Sequence, residues 1–143
     1  MELKNSLVDD ATRKAYLTTK YHVFADAPFI LQIGLRSQEL LALYSKHRVS
    51  SALFITACNP YSQVVSNSDN LAKQRELKNF LMLSELIFFK GLGKPACGNW
   101  GAEDSFLVLG MDQAASMKLG RHFEQNAIVF SEYDAIPKLL LLR

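Results

Sequence analysis

The sequence has few cysteines, few histidines and no long apolar run, and each scarcity removes a class of protein. The only cysteines among 143 residues are Cys58 and Cys97. They are too few for a disulfide framework and lack zinc-site spacing, so we expect both to be reduced. The three histidines are scattered along the chain. The sequence therefore predicts no metal site.

An excess of charge of one sign is also missing. Sixteen basic and fourteen acidic residues give a formal net charge of +2, which does not indicate nucleic acid or an acidic membrane as a partner, although it does not exclude nucleic acid. No apolar run reaches membrane-spanning length, and the first ten residues carry acids where a secretory signal needs a basic start. These absences predict a cytoplasmic protein that contacts no membrane.

Apolar residues make up 49% of the chain, which fits one globular domain over residues 1–143 with a core at about 29–131. Apolar runs predict strands at 29–35, 52–58, 87–90, 106–109 and 127–130. Helices are predicted at about 7–18, after Ser37, from the Ser66–Asp69 region to about 83, and after Asp112.

From residue 52 onward, the order strand, helix, strand, strand, helix, strand predicts an α+β protein with a ferredoxin-like split β-α-β core and a mainly antiparallel sheet. We expect the additional N-terminal strand beside the last strand, and the helices on one face. The strands are nearly continuous apolar runs, which is typical of a sheet covered on both faces. The first helix, the apolar tail at 139–142 or a second subunit must then supply the remaining cover.

Polar side chains occur where predicted strands begin or end. Residues 59–63 follow the strand at 52–58, residues 100–105 precede the next-to-last strand, and residues 124–126 precede the last. In the predicted topology the strand at 52–58 runs between, and opposite to, the two strands that follow these polar segments. The three segments should therefore meet at one rim of the sheet.

Glu103 is the candidate catalytic residue, as a general base or as a carboxylate that anchors a ligand. Because side chains alternate along a strand, Glu103 and Asp104 should face opposite ways, and only one should face a pocket. Burial or a neighbouring group would have to tune the pKa of Glu103. An ion pair between Glu103 and Arg75 or Arg121, with a purely structural role, is the alternative.

Six further residues are candidates for ligand binding: Asn59, Ser62, Arg75, Trp100, Gln125 and Asn126. Each has a structural alternative. Asn59 fits a strand-ending turn with Pro60, and Trp100 fits a hydrophobic lid. Gln125 and Asn126 fit hydrogen bonds to the backbone.

Two other interpretations depend on neighbouring groups. Arg75, with Ser66, Ser68 and Asn70, fits either an anion site at a helix start or capping and surface charge. Cys58 could act as a nucleophile only with a histidine, such as His122, or another thiolate-stabilising group nearby.

Four pieces of this sequence carry a family resemblance: Phe-Ile-Thr-Ala-Cys-Asn-Pro-Tyr-Ser at 54–62, Asn70 with Arg75, Trp100 followed by Glu-Asp-Ser at 103–105, and Gly-Arg at 120–121 leading to Gln-Asn at 125–126. Together they resemble an uncharacterised bacterial family, domain of unknown function 3293, from about residue 54 to 137. Cys58 stands where that family usually has an aromatic residue. The resemblance implies a bacterial source and groups the polar residues, but it implies no reaction.

The leading hypothesis is a protein that binds a small polar or nucleotide-like ligand at the sheet rim, with hydrolysis as an open option. The alternative is a protein-interaction or homodimerisation module that uses the sheet face. A third hypothesis is single-stranded nucleic-acid binding through Trp100 and Tyr61. No phosphate-loop or dinucleotide-binding pattern is present, so the sequence assigns no cofactor.

Overall fold

The computed structural model describes residues 6–96 and 101–143. Within these ranges the helices are α1 Asp10–Thr18, α2 Gln38–His47, α3 Asn67–Leu83 and α4 Gln113–His122, with one 3₁₀ turn at Pro60–Ser62. The strands are β1 Lys20–Val23, β2 Phe29–Leu31, β3 Ala52–Ile55, β4 Phe88–Lys94, β5 Glu103–Leu109, β6 Ala127–Ser131 and β7 Lys138–Leu141. No helix in the described ranges has the length and apolar character needed to cross a membrane.

The helix starts follow local chemistry. Ser37, Ser66 and Asp112 each accept a hydrogen bond from a backbone N–H in the first turn, as the sequence predicts. The end of α2 is equally local, because Arg48 adopts a left-handed conformation with φ of 55° and its N–H donates to the Tyr44 carbonyl. Capping residues thus set these helix boundaries.

The seven strands form one sheet in the order β2-β1-β4-β5-β3-β6-β7, and every neighbouring pair is antiparallel. The predictions of an α+β protein and of an antiparallel sheet are therefore confirmed. β3 lies between β5 and β6, as predicted, with Phe54 opposite both Leu107 and Val129. This central position brings the end of β3 beside the starts of its two neighbours.

The predicted position of the N-terminal strand is wrong. β2 lies at the far edge of the sheet, paired with β1, and β7 is the strand that flanks β6. β1 was not predicted, because it has only four residues and just two of them, Tyr21 and Val23, are buried. β1 gives β2 a nearby antiparallel partner, and the apolar tail turns back to pair with β6.

The expectation that the helices share one face is also wrong. One buried cluster packs α3 and α4 against β3, β5 and β6, through side chains such as Leu77, Leu119 and Phe106. A second cluster on the opposite face packs α2, through Leu40 and Tyr44, against other side chains of the sheet. Helices on both faces explain the nearly continuous apolar runs of the central strands.

Candidate functional site

Two hydrogen bonds bring the three polar segments together. Asn59 Nδ2 donates to Glu103 Oε2 at 2.8 Å, and Gln125 Nε2 donates to the Cys58 carbonyl at 3.1 Å. These bonds link the end of β3 to residues at the start of β5 and just before β6. The meeting of the segments at one rim, predicted from strand order, is confirmed.

The loop after β3 has an unusual backbone. Asn59, Tyr61 and Ser62 have positive φ angles of 47°, 53° and 61°. For residues other than glycine such conformations cost about 1–2 kcal/mol each, and they persist only where the surroundings enforce them. One enforcing contact is the Tyr61 N–H, which donates to the Glu124 carbonyl at 2.6 Å.

The side chain of Asn59 has partners on both of its polar atoms. Its Oδ1 accepts hydrogen bonds from Val65 N at 3.2 Å and from Asn70 Nδ2 at 3.0 Å, while its Nδ2 donates to Glu103 Oε2. Asn70 Oδ1 also accepts from the Asn59 N–H at 2.8 Å. Asn59 is therefore a brace between β5 and the start of α3, and Asn70 belongs to the same brace.

Glu103 differs from these groups because one of its carboxylate oxygens is unused. Oε2 accepts from Asn59, whereas Oε1 has no hydrogen-bond partner among the described residues. Burial raises the pKa of Glu103, and the hydrogen bond from Asn59 opposes that rise. This carboxyl group is therefore easier to protonate than an exposed glutamate.

Glu103 lines a cavity of about 50 Å³ on the α1 side of the sheet. The other lining residues are Ala15, Tyr16, Thr19, Tyr21, Phe54, Thr56, Gly93, Pro95, Ser105, Gln125, Ala127, Ile128 and Val129. The walls are mostly apolar, and the space suffices for about three water molecules or one small polar group.

Tyr16 and Tyr21 give the cavity two hydroxyl groups that are already engaged. Tyr21 Oη donates to the Tyr16 carbonyl at 2.6 Å, and Tyr16 Oη lies 3.1 Å from Ser62 Oγ. Burial raises the pKa of both tyrosines, so both hydroxyls are uncharged at neutral pH. The Tyr21 ring also packs edge-on against Phe54 at 5.1 Å.

Asp104 faces the other side of the sheet, as strand alternation requires. It lines a second hollow of about 320 Å³ with Cys58, Asn70 and Gln74, and Glu103 reaches this hollow as well. The expectation that only one of the two acids faces a pocket is therefore wrong.

Neither arginine proposed as a partner of Glu103 forms an ion pair with it in the described part of the chain. Arg121 Nε instead donates to the Leu142 carbonyl at 3.4 Å. Arg75 lines a separate groove with Lys78 and Lys90.

Ser62 and Asn126 belong to a polar chain behind the cavity. Asn126 Nδ2 donates to Ser62 Oγ at 2.8 Å, and Arg143 Nη1 donates to Asn126 Oδ1 at 3.2 Å. The Arg143 guanidinium also lies 3.9 Å above the Tyr61 ring. Sequence reasoning missed Arg143 and Tyr16, since both lie far along the chain from every predicted polar segment.

Gln125 is 5% exposed, and its Nε2 also donates to the Phe123 carbonyl at 3.2 Å. Both hydrogen bonds of this amide nitrogen therefore go to backbone carbonyls. Burial raises the pKa of the Cys58 thiol to about 11, and no hydrogen bond joins it to His122 among the described residues. Trp100 and Cys97 lie outside the described residues.

Across residues 6–96 and 101–143, no group of three His, Cys, Asp or Glu side chains is placed to hold a metal ion.

Comparison with known proteins gives one match. The model of a family described as a protein of unknown function, DUF3293, matches residues 55–128. This range contains Asn59, Ser62, Glu103, Gln125 and Asn126, but not Tyr16 or Arg143. No curated protein and no solved structure matches the chain.

Proposed function

Because this chain belongs to the DUF3293 family of proteins of unknown function, we propose its role from the site itself: the cavity beside Glu103 binds the hydrogen-bond-donating end of a small polar ligand. The observation that carries the proposal is that Glu103 Oε1, in a mostly apolar cavity, accepts no hydrogen bond from residues 6–96 or 101–143. A half-buried carboxylate oxygen forms its strongest hydrogen bond with a charged or strongly polarised N–H donor.

The size and walls of the cavity narrow the class of ligand. About 50 Å³ admits a primary amine, an amide or one edge of a nucleobase, but not a whole nucleotide. Tyr16, Tyr21 and Phe54 supply apolar and aromatic surface around the entering group. The rest of the ligand would lie outside the cavity, which fits a polar or nucleotide-like molecule recognised by one end.

In this proposal the other rim residues position Glu103 and shape its surroundings. Asn59 holds one carboxylate oxygen, and Gln125 fixes the loop that carries Asn59. Ser62 and Asn126 hold Tyr16 against the cavity.

The strand order β4-β5-β3-β6 supports a ferredoxin-like arrangement of the core. In that arrangement the end of β3 and the starts of β5 and β6 lie at the same rim of the sheet.

A hydrolytic step would use the same geometry. Glu103 would accept a proton from a water molecule held in the cavity while the water oxygen forms a bond to the ligand, and it would return the proton to the group that leaves when the ligand's bond breaks. Burial raises the pKa of Glu103, which makes it a stronger base than an exposed glutamate. Asn59 would keep the carboxylate directed at the water.

The bacterial source and the cytoplasmic location stay predictions of the sequence.

Binding can be tested by NMR titration with a panel of small amines, primary amides and nucleosides. We expect one class to shift the backbone amide signals of cavity residues such as Thr56, Gly93 and Ser105. Glu103→Gln should weaken that binding at least tenfold while leaving the spectrum folded. Asp104→Asn is the matched control, because Asp104 is the neighbouring carboxylate and does not line the 50 Å³ cavity. Signals that shift equally in the Glu103→Gln protein would contradict the proposal.

A further inference from the structure

One half of the sheet has a face that no described helix covers. β1 and β2 place their buried side chains only in the cluster beneath α2, and none in the cluster beneath α3 and α4. On the α3 side, the side chains of Phe24 and Ile30 are 51% and 42% exposed. We call this surface, formed by β2, β1, β4 and the adjoining side of α3, the open face.

The open face concentrates positive charge. Strand alternation places Lys20 and His22 of β1 and Lys90 and Lys94 of β4 on it. Arg75 and Lys78 of α3 border it through a groove of about 350 Å³ that also contains Phe24 and Lys90.

Five cationic side chains thus share this surface, namely Lys20, Arg75, Lys78, Lys90 and Lys94, and none of them forms an ion pair in the described part of the chain. The one carboxylate that lines the groove is Asp104. For a chain with a net charge of +2, this distribution is strongly one-sided.

The pairing of β1 with β4 adds an independent observation. Lys20 lies directly opposite Lys94 in the antiparallel ladder. Like charges in directly opposed positions destabilise a sheet, so this pair lowers stability unless an anion lies between or above it. Together with the groove cations, it indicates a surface suited to an extended anion.

We propose that the open face binds single-stranded nucleic acid. Phosphate groups would contact the lysines and Arg75, while a base stacks on the exposed ring of Phe24. An antiparallel sheet surface that carries an exposed aromatic side chain is a recurrent platform for unpaired bases.

A second copy of the chain suits this face less well. A two-fold symmetric contact presents the same patch from both subunits, and it would therefore set two cationic surfaces against each other. An acidic peptide would satisfy the lysines but would gain little from the Phe24 ring. The proposal concerns a different surface from the Glu103 cavity, so either can fail alone.

The test is fluorescence anisotropy with ten-nucleotide single strands of DNA and RNA, titrated over a range of salt concentrations. We expect the protein to bind the strands, and we expect the logarithm of the association constant to fall linearly with the logarithm of the salt concentration. Lys90→Ala should weaken binding and reduce the magnitude of that slope by about 0.7, the value for one phosphate contact on a single strand. Phe24→Ala should weaken binding at least about fivefold while leaving the salt slope unchanged.

Lys118→Ala is the matched control, because Lys118 is an exposed lysine on α4, away from the open face. It should leave affinity and slope unchanged, and circular dichroism should show all three variants folded. Three results would overturn the proposal: no binding at low salt, equal affinity for a duplex or an acidic peptide of the same length, or a stable homodimer that buries Phe24.

Discussion

Asn59 Nδ2 lies 2.8 Å from Glu103 Oε2, and this bond joins two residues 44 positions apart in the chain. It fixes one oxygen of a carboxylate whose charged form burial disfavours. The other oxygen has no hydrogen-bond partner in the described part of the chain. Asn59 and Glu103 can therefore be substituted separately, and the effect of each on the protein can be measured alone.

Asn59→Ala should lower the free energy of unfolding by about 3 kcal/mol. The substitution removes the acceptor of the Val65 N–H and the donor to Glu103, and unsatisfied buried partners cost about 1–3 kcal/mol. It also puts alanine at a φ of 47°. Asn59→Gly loses the same hydrogen bonds but tolerates this φ, so it should be about 1 kcal/mol less destabilising. Urea unfolding measures both, and equal losses would show that the backbone conformation contributes nothing.

Glu103→Gln should stabilise the fold at neutral pH. Because burial raises the pKa of Glu103, the folded state binds its proton more tightly than the unfolded state. The stability contributed by protonated Glu103 is then fully present below its unfolded pKa and is lost as pH rises through the folded pKa. Glutamine stays neutral and retains an oxygen for Asn59.

Thermal melts of both proteins between pH 3 and pH 8 test this. The variant should melt higher than the wild type at pH 7–8, and the difference should vanish near pH 3. A Glu103→Gln protein that melts lower than the wild type at pH 8 would contradict the raised pKa.

The central part of the fold was predictable because its strands are long apolar runs separated by capped helices. β3, β5 and β6 follow from their composition, and Ser66 and Asp112 mark helix starts by chemistry local to the sequence. β1 was not predictable in the same way. Only two of its four residues are buried, and the strand is stabilised by its pairing with β4, which is distant in the sequence.

The candidate site was also predictable only in part. Strand order brings polar segments to one rim, so the proximity of Asn59, Glu103 and Gln125 follows from topology. Which atoms pair depends on side-chain geometry that a sequence does not encode locally. Tyr16 and Arg143 reach the rim from distant segments, and no periodicity or spacing connects them to it.

Cys58 should react slowly with thiol reagents in the folded protein. Its side chain is buried, and burial raises its pKa to about 11, so almost no thiolate is present at pH 7.5. Cys97→Ser leaves Cys58 as the single thiol of the chain. In that variant, labelling by an aromatic disulfide should be at least a hundredfold slower than in urea-unfolded protein. Rapid native labelling would instead revive a nucleophilic role for Cys58.

Ser116→Ala should be neutral or stabilising by up to about 1 kcal/mol. Ser116 is fully buried on α4, and its Oγ is the one buried side-chain polar atom without a partner in the described part of the chain. Burying a hydroxyl without a hydrogen bond is unfavourable, and alanine is also the better helix former. Urea unfolding should show an equal or higher midpoint. A loss above about 1 kcal/mol would mean that the hydroxyl has a partner, such as a bound water.

Gly120→Ala should destabilise the protein by about 1–3 kcal/mol, although alanine favours an exposed helix by about 1 kcal/mol over glycine. Gly120 lies one turn after Ser116, and a Cβ at position 120 would lie 2.5 Å from Leu142 Cδ1 and 2.8 Å from Ile128 Cγ2. The helix would have to move away from the sheet, or both side chains would have to shift. Gly120→Ala combined with Leu142→Ala removes the nearer clash, so the double variant should lose less stability than the sum of the two single losses. Additive losses in urea unfolding would show that α4 and the sheet do not meet through this contact.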